Sequence, residues 1–337
     1  MNRSEPQPRR KRRRRRSWPR TILLIVFVLA ILAGIYACLV RKPQVRPDPA
    51  GSTSQDVSSS SSASSEPTPV KERKDDFFTI LVSGTDDGNG CADTNILVGF
   101  DAKNQAITCV SIPRDTGVYI DGKSQKVNAA YGKGGMALLA DTVSDALGIP
   151  VDFTVEVSLE AFVKLVDEIG GVDFYVPLNM NYDDPYEDLH IHFSKGTQYL
   201  NGRDALKVVR FRHNNDGSGY GTEDIGRIGT QQAFLKAVAK QLLQIGNVKN
   251  IPALVDIFYT YVKTDLTTGN LVWLGNEALN IGTENIHFAT LPGDGSGYYN
   301  KQSVYVLDAQ ATCDLVNEAL NPYNEALTLE DMDILVP

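Results

Sequence analysis

Val110-Ser111-Ile112-Pro113-Arg114-Asp115-Thr116 is the stretch on which the reading of this chain turns. It closes an apolar, β-branched run, Ile107 to Ile112, with the composition of a buried strand. Pro113 ends that strand because it has no N–H to give to a ladder. An arginine and an aspartate follow directly. A strand that stops at proline and offers Arg-Asp at its carboxyl end is one way α/β folds build a site on the rim of a sheet. A guanidinium suits phosphate oxygens, and a carboxylate suits a hard cation or another arginine. A plain surface ion pair at a strand end is the competing reading of these seven residues.

On either side, strand and helix patterns alternate. Phe77–Ser83, Asn95–Phe100, Phe153–Val157 and Val172–Val176 read as strands, with two more near 286–290 and 303–307. From Gly135 to Leu147, Met136, Leu139, Val143, Ala146 and Leu147 fall at helical spacing, and Gly148 closes the helix. Further helices fit Leu159–Glu168, Gly202–Val209, Asp224–Ile245, 251–262 and 268–280, and a last one starts at Ala309. Residues 177–200 read as an irregular excursion. The alternation predicts a three-layer α-β-α sandwich around a mixed central sheet.

The charge is unevenly spread. Residues 1–20 carry nine Arg, Lys11 and one acid, Glu5, a head of +9 on a chain whose net charge is −8, so the rest holds −17. Thr21 to Val40 is a twenty-residue run without charge. At about 1.5 Å per residue it spans the roughly 30 Å hydrocarbon core. Basic residues on its N-terminal side place residues 1–20 in the cytoplasm and the bulk of the chain outside, on a single uncleaved anchor at 21–40. The arginine run beside a span is thereby explained by topology and anionic lipid, and no nucleic-acid partner is expected. Residues 41–76, rich in Ser, Pro and charge, read as a flexible extracellular stalk, and 77–337 as the folded domain. Cys38 lies in the anchor. Cys91, Cys109 and Cys313 show no metal spacing and read as isolated thiols, though a pair among them stays open.

Arg and Asp concentrate at strand and helix ends. Asp86 sits in the Gly-rich loop after the first strand, Asp93 opens the second, and Arg114 and Asp115 end the third. Arg210 and Arg212 share a face if the chain there is extended. Arg227 and Gln231 lie four apart, on one face near the start of a helix, behind Asp224. Several arginines converge only with anions between them, and pyrophosphate oxygens match their forks. Clustered aspartates could hold Mg²⁺ (or Mn²⁺) against the same phosphates. Scattered ion pairs on solvated faces are the bland alternative. His190, His192, His213 and His287 show no ligand spacing and read as structural or surface residues. The acids Asp183, Asp184, Glu187 and Asp188 read as a solvated loop, with a Ca²⁺ site as the minor alternative.

Asp93-Thr94-Asn95-Ile96-Leu97, Ser111 to Thr116, Lys126-Val127-Asn128-Ala129-Ala130-Tyr131, Val166 to Val172, Leu200-Asn201-Gly202 with Ala205-Leu206, and Asp224-Ile225-Gly226-Arg227 with Gln231-Gln232 occur in an order that resembles the LytR–CpsA–Psr family. The resemblance covers roughly residues 77–245. It implies a membrane-anchored phosphotransferase that moves an anionic glycopolymer (teichoic acid, capsular or a similar polysaccharide) from a polyprenyl pyrophosphate carrier to a peptidoglycan hydroxyl. It further implies that Asp86, Asp93 and Asp115 surround Mg²⁺ and that Arg114, Arg210, Arg212, Arg227 and Gln231 hold the pyrophosphate. Arg114, Arg227 and Asp224 would then be catalytic, Asp224 as general base or as a group orienting an arginine. The polyprenyl tail would lie between sheet and helices, against the apolar faces at 136–147, 159–169 and 225–245. Two positions depart from the family pattern: Cys91 and Thr230 stand where arginines are usual. The alternative is a non-catalytic, polyprenyl-phosphate-binding scaffold or sensor.

Overall fold

The computed structural model describes residues 40–45, 71–86, 91–186, 188–221, 223–242, 251–299 and 302–335. The basic head and all of the expected span except Val40 lie outside them; among the described residues no helix is long and apolar enough to cross a membrane.

Three strands, β1 (Phe77–Asp86), β2 (Cys91–Asp101) and β3 (Ala106–Ile112), form an antiparallel meander. Their side chains alternate between two faces, and both faces are apolar. Phe78, Ile80, Phe100 and Ile107 enter one buried cluster, Leu81, Leu97, Val110 and Ile112 another. Strands apolar on both sides must be covered on both sides.

After Pro113 the chain makes a locked turn. The amide and the hydroxyl of Thr116 both donate to the Pro113 carbonyl, at 2.9 and 2.6 Å. A small hairpin follows, β4 (Gly117–Ile120) and β5 (Lys123–Lys126), and then helix α1 (Asn128–Leu147). This helix starts a full turn and more before the expected Gly135. Gly134 and Gly135 break it with non-helical backbone, Gly135 at φ +65°, which is why the helical period is legible only beyond them.

Strand β6 (Phe153–Ser158) runs parallel to β1, and helix α2 (Leu159–Glu168) follows it at once, capped by the Ser158 hydroxyl. The stretch 177–200, expected to be irregular, instead holds three strands. β7 (Val172–Val176) pairs with β10 (Gly196–Leu200), and β8 (Met180–Asp184) pairs with β9 (Leu189–Phe193). Their inward residues build a second core with helix α3 (Gly202–Arg210) and helix α4 (Glu223–Leu242), around Phe174, Met180, Ile191, Phe211 and Phe234.

Helix α5 (Ile251–Tyr261), strand β11 (Val262–Thr264), helix α6 (Thr268–Ile281), strand β12 (Ile286–Thr290) and, after four two-residue strands between 293 and 307, helix α7 (Ala309–Ala319) follow. The main sheet runs β11-β6-β1-β2-β3-β12, with β12 parallel to β3 and β11 antiparallel to β6. Helices α1 and α7 cover one face through Leu139, Val143 and Val316, with Leu320 just past the end of α7, and α6 covers the other through Leu274 and Ile281. The expected mixed sheet between helical layers is the observed architecture.

The ends of the segment read as stalk touch the fold. The Arg41 amide donates to Gly269 and the Arg41 carbonyl accepts from Asn270, while Lys74 and Glu72 hydrogen-bond Pro322 and Asn324.

Helices α2 and α3 approach so closely that a Cβ on Gly202 would stand 2.1 Å from the Val163 carbonyl oxygen. Gly202→Ala is therefore expected to cost about 1–3 kcal/mol, the range for forced overpacking. The urea unfolding midpoint measures it.

Candidate functional site

The carboxyl ends of β1, β3 and β6 meet the amino end of β2 along one rim of the sheet. Above that rim α2, α3, α4 and the β8–β9 hairpin enclose a cavity of about 390 Å³. Its inner wall is apolar, from Val82 and Ile96 on the sheet to Phe162, Leu206, Val209 and Phe234 on the helices. Its polar lining includes Asp93, Arg114, Arg210, Arg212, Arg227 and Gln231, all singled out from sequence. Asp184, Tyr182 and His213 join them. Four arginines thus face two described aspartates, a net positive pocket.

Each polar residue is placed by an identifiable device. In the β1–β2 pairing the register shifts so that Gly84 faces Thr94 and Thr85 faces Ala92. Asp93 is the extra residue between them, and such bulges re-aim a side chain at a sheet rim. Asn95 steadies the bulge, accepting from Ser83 at 2.8 Å and donating to the Ala92 carbonyl at 3.3 Å. Arg114 leaves the locked turn after Pro113 and donates through Nη1 to Asp93 at 2.9 Å. Its Nε lies 3.9 Å from Asp115, which is itself paired with Lys126 at 3.2 Å.

Arg210 is the last residue of α3. Phe211 turns into extended backbone at φ −59°, ψ 135°, so the helix end and the strand-like step after it bring both Arg210 and Arg212 to the cavity. Arg227 and Gln231 share the cavity-facing side of α4. Arg227 is only 6% exposed. A buried cation near the positive end of a helix is disfavoured by desolvation and by the helix dipole, and an anion offsets both.

Some placements differ from the sequence reading. Asp115 does not line the cavity; it forms the far side of the Arg114 cluster. Gln231 spends its amide on the Val209 carbonyl (3.1 Å) and the Thr94 hydroxyl (3.4 Å), bracing α3 and β2 against α4. The side chains of Asp86, Cys91 and Asp224 lie outside the described ones. Thr230 is buried and shares a 2.7 Å hydrogen bond with Tyr220, away from the cavity lining. Burial pushes the Tyr220 phenol up, and the Thr230 bond only partly offsets it. Helix α1, expected to help line a lipid groove, packs on the opposite face of the sheet, whereas α2 and α4 do line the cavity. Asp183 and Asp184, read together as a solvated loop, point to opposite sides of β8, and only Asp184 reaches the cavity.

Two contributors were given no role in the sequence reading, Gln232 although it stands in the quoted motif, and Glu156. Gln232 donates to the Ser111 hydroxyl (3.0 Å), the Ala289 carbonyl (2.7 Å) and the Thr290 hydroxyl (3.0 Å), fixing α4 over the ends of β3 and β12. Glu156 accepts from Tyr131 (2.9 Å) and from Lys263 (2.8 Å) beside the cavity residue Thr85. Burial, then the Glu156 hydrogen bond, pushes the Tyr131 phenol up. A glutamate inside an otherwise uncharged strand was the available signal. The thiols of Cys109 and Cys313 are free, and burial pushes that of Cys109 up to about 12.

The model of the LytR_cpsA_psr family matches residues 50–321 of this chain. TagU of Bacillus cereus, a polyisoprenyl-teichoic acid–peptidoglycan teichoic acid transferase, is 33% identical over 254 residues, which covers 74% of this chain and 80% of that protein. The crystal structure of B. subtilis TagV is similar with a TM-score of 0.62 at 27% identity, over 78% of this chain and 100% of that one. A structure of TagT bound to LI-WTA is similar at 26% identity and a TM-score of 0.58, over 76% of this chain and 95% of that one.

Proposed function

The chain belongs to the LytR–CpsA–Psr family, and from that we propose that it transfers an anionic glycopolymer, of the teichoic acid or capsular kind, from a polyprenyl pyrophosphate carrier to a peptidoglycan hydroxyl outside the membrane. One observation carries the reading: a single cavity is lined both by four arginines and by a set of apolar side chains from the sheet and the helices. A polyprenyl pyrophosphate has that same division, a multiply charged head on a hydrocarbon chain. The named activity of TagU and the LI-WTA held by TagT point the same way.

The chemistry follows from charge. The acceptor oxygen attacks the phosphorus that bears the glycopolymer, the bond from that phosphorus to the bridging oxygen breaks, and polyprenyl phosphate leaves. The acceptor's proton passes to a base, for which Asp224 in the first turn of α4 is the proposed group. Arg114, Arg210, Arg212 and Arg227 bind the pyrophosphate oxygens and neutralise the charge that builds on the leaving phosphate. Positioning and electrostatics of this kind supply most of the acceleration in phosphoryl transfer. The apolar interior keeps the prenyl chain, and water with it, out of the way of the attacking hydroxyl.

The donor set of this site fits a hard divalent cation. Asp93 and Asp115 flank the one guanidinium of Arg114 and offer only oxygen ligands, and Mg²⁺ is commonly held by one or two carboxylates together with substrate phosphates. Asp93 and Asp115, with Asp86, would hold Mg²⁺ or Mn²⁺, which when bound supplies Lewis-acid neutralisation of the phosphates.

The test uses the full-length chain in lipid vesicles with a pyrophosphate-linked polyprenyl glycolipid and follows release of polyprenyl monophosphate. Release that needs a divalent cation and disappears in Asp93→Ala is expected. Tight glycolipid binding with no release would replace the transferase reading with that of a lipid-binding scaffold.

A further inference from the structure

The β8–β9 hairpin has two faces of opposite character. Its inner face, Tyr182 and Asp184 on one strand, Leu189 and Ile191 on the other, forms part of the cavity wall. Its outer face carries Asn181, Asp183, His190 and His192. The pairing sets Asp183 directly opposite His190 and Asn181 directly opposite His192, so the period of the strand gathers both imidazoles around one carboxylate.

The contacts within this group are those of a ligand set. One carboxylate oxygen of Asp183 lies 2.5 Å from His190 Nδ1 and 3.1 Å from His192 Nε2. One ligand atom from each of the three residues lies within 4.8 Å of the others, and no other group of three or more His, Cys, Asp or Glu among the described residues meets that condition. The other nitrogen of His192, Nδ1, is 2.8 Å from the Asn181 carboxamide oxygen. That oxygen can only accept, so it holds the ring through Nδ1 and directs Nε2 at the Asp183 carboxylate. His190 and His192 thus each present a ring nitrogen to the same carboxylate oxygen, where a cation could be shared among the three. An imidazole whose far nitrogen donates to an oxygen is the usual outer partner arrangement of a metal-bound histidine.

We propose that Asp183, His190 and His192 bind one divalent transition-metal ion, Zn²⁺ by ligand type, on the outer face of the β8–β9 hairpin, with Asn181 as the orienting partner. Two imidazoles and one carboxylate select against Mg²⁺ and Ca²⁺, which take oxygen ligands, and leave a further position for water. Ligand bonds of about 2.0–2.2 Å need only a small spreading of the present contacts. The ion would tie β8 to β9 on the back of the cavity wall, so its binding should stiffen that wall.

The experiment takes the full-length chain in detergent, freed of metal, and titrates Zn²⁺ against a chromophoric indicator in excess Mg²⁺, which competes for the oxygen ligands around Arg114. One Zn²⁺ per chain is expected. His190→Gln and His192→Gln should each abolish stoichiometric uptake, and Asn181→Leu should weaken it about tenfold or more, the scale for losing an outer partner. All these side chains are exposed, so the variants should keep the wild-type circular dichroism. Amide exchange across residues 180–193 should slow on adding Zn²⁺ in the wild type and not in the His190→Gln/His192→Gln double variant. Absence of stoichiometric uptake by the wild type, or uptake and exchange unchanged in the double variant, would overturn the proposal.

Discussion

Arg227→Ala is expected to lower polyprenyl phosphate release by about 10²–10³, or about 2.7–4 kcal/mol of transition-state stabilisation, the scale for removing one preorganised donor from a water-poor site. Its position makes it the most consequential of the four cavity arginines. Arg227 is almost fully buried, so its field reaches the phosphates with little screening by water. Arg114 is more exposed and already shared between Asp93 and Asp115, so Arg114→Ala should cost less. The kinetic form of the loss separates two roles. If Arg227 acts on charge that appears as the leaving phosphate departs, kcat and kcat/KM fall together. If it only holds the pyrophosphate, KM rises and kcat stays. Arg227→Lys keeps the charge, loses the fork and should fall between wild type and alanine. Steady-state kinetics with the glycolipid decides, and unchanged turnover in Arg227→Ala would remove this residue from the mechanism.

The part of this site that sequence made legible was the part carried by single residues at element ends. Pro113 announces the end of β3, and Arg114 does reach the cavity. Arg227 and Gln231 sit four apart on a helix, and helical geometry alone puts them on one side. The lining set was harder, because a period shows that a helix has an apolar face and not which face of the sheet it covers. Helix α1 satisfies the pattern and lies on the wrong side. The hairpin at 180–193 was lost for another reason. Its alternation is present in Met180, Tyr182, Leu189 and Ile191, but it is short, and Pro185 with the surrounding acids gives the segment the composition of a loop. The same alternation hides the outer histidines, since His190 and His192 acquire a ligand geometry only when β9 is set against Asp183. The bulge that exposes Asp93 depends on a partner strand and has no local mark.

Composition misleads most at residues 71–74, next to a Ser/Pro-rich tract, and the largest expected stability effect lies there. Arg73 donates through Nη2 to Asp152 at 2.8 Å, and the Asp152 side chain is 1% exposed. The same carboxylate oxygen accepts from the Thr79 amide at 2.9 Å and the Thr79 hydroxyl at 3.0 Å, which ties the start of β1 to the segment that leads into β6. Arg73→Ala would leave a buried carboxylate without its cation, and about 3–5 kcal/mol of folding stability should be lost at neutral pH, read from urea unfolding. The pH dependence identifies the cause. Burial pushes the Asp152 carboxyl up even with Arg73 and Thr79 pulling it down, and removing Arg73 must push it further. A raised folded-state value means that ionised Asp152 costs stability above it, and that the cost vanishes below the unfolded value of about 3.9. The deficit of Arg73→Ala should therefore be full at neutral pH and shrink as pH falls through the raised folded value toward 3.9. Asp152→Asn removes the charge altogether, so Arg73→Ala made in that background should lose much less than in the wild type. An equal loss in both backgrounds would show that Arg73 acts through packing of its stem along the C-terminal segment rather than through the carboxylate.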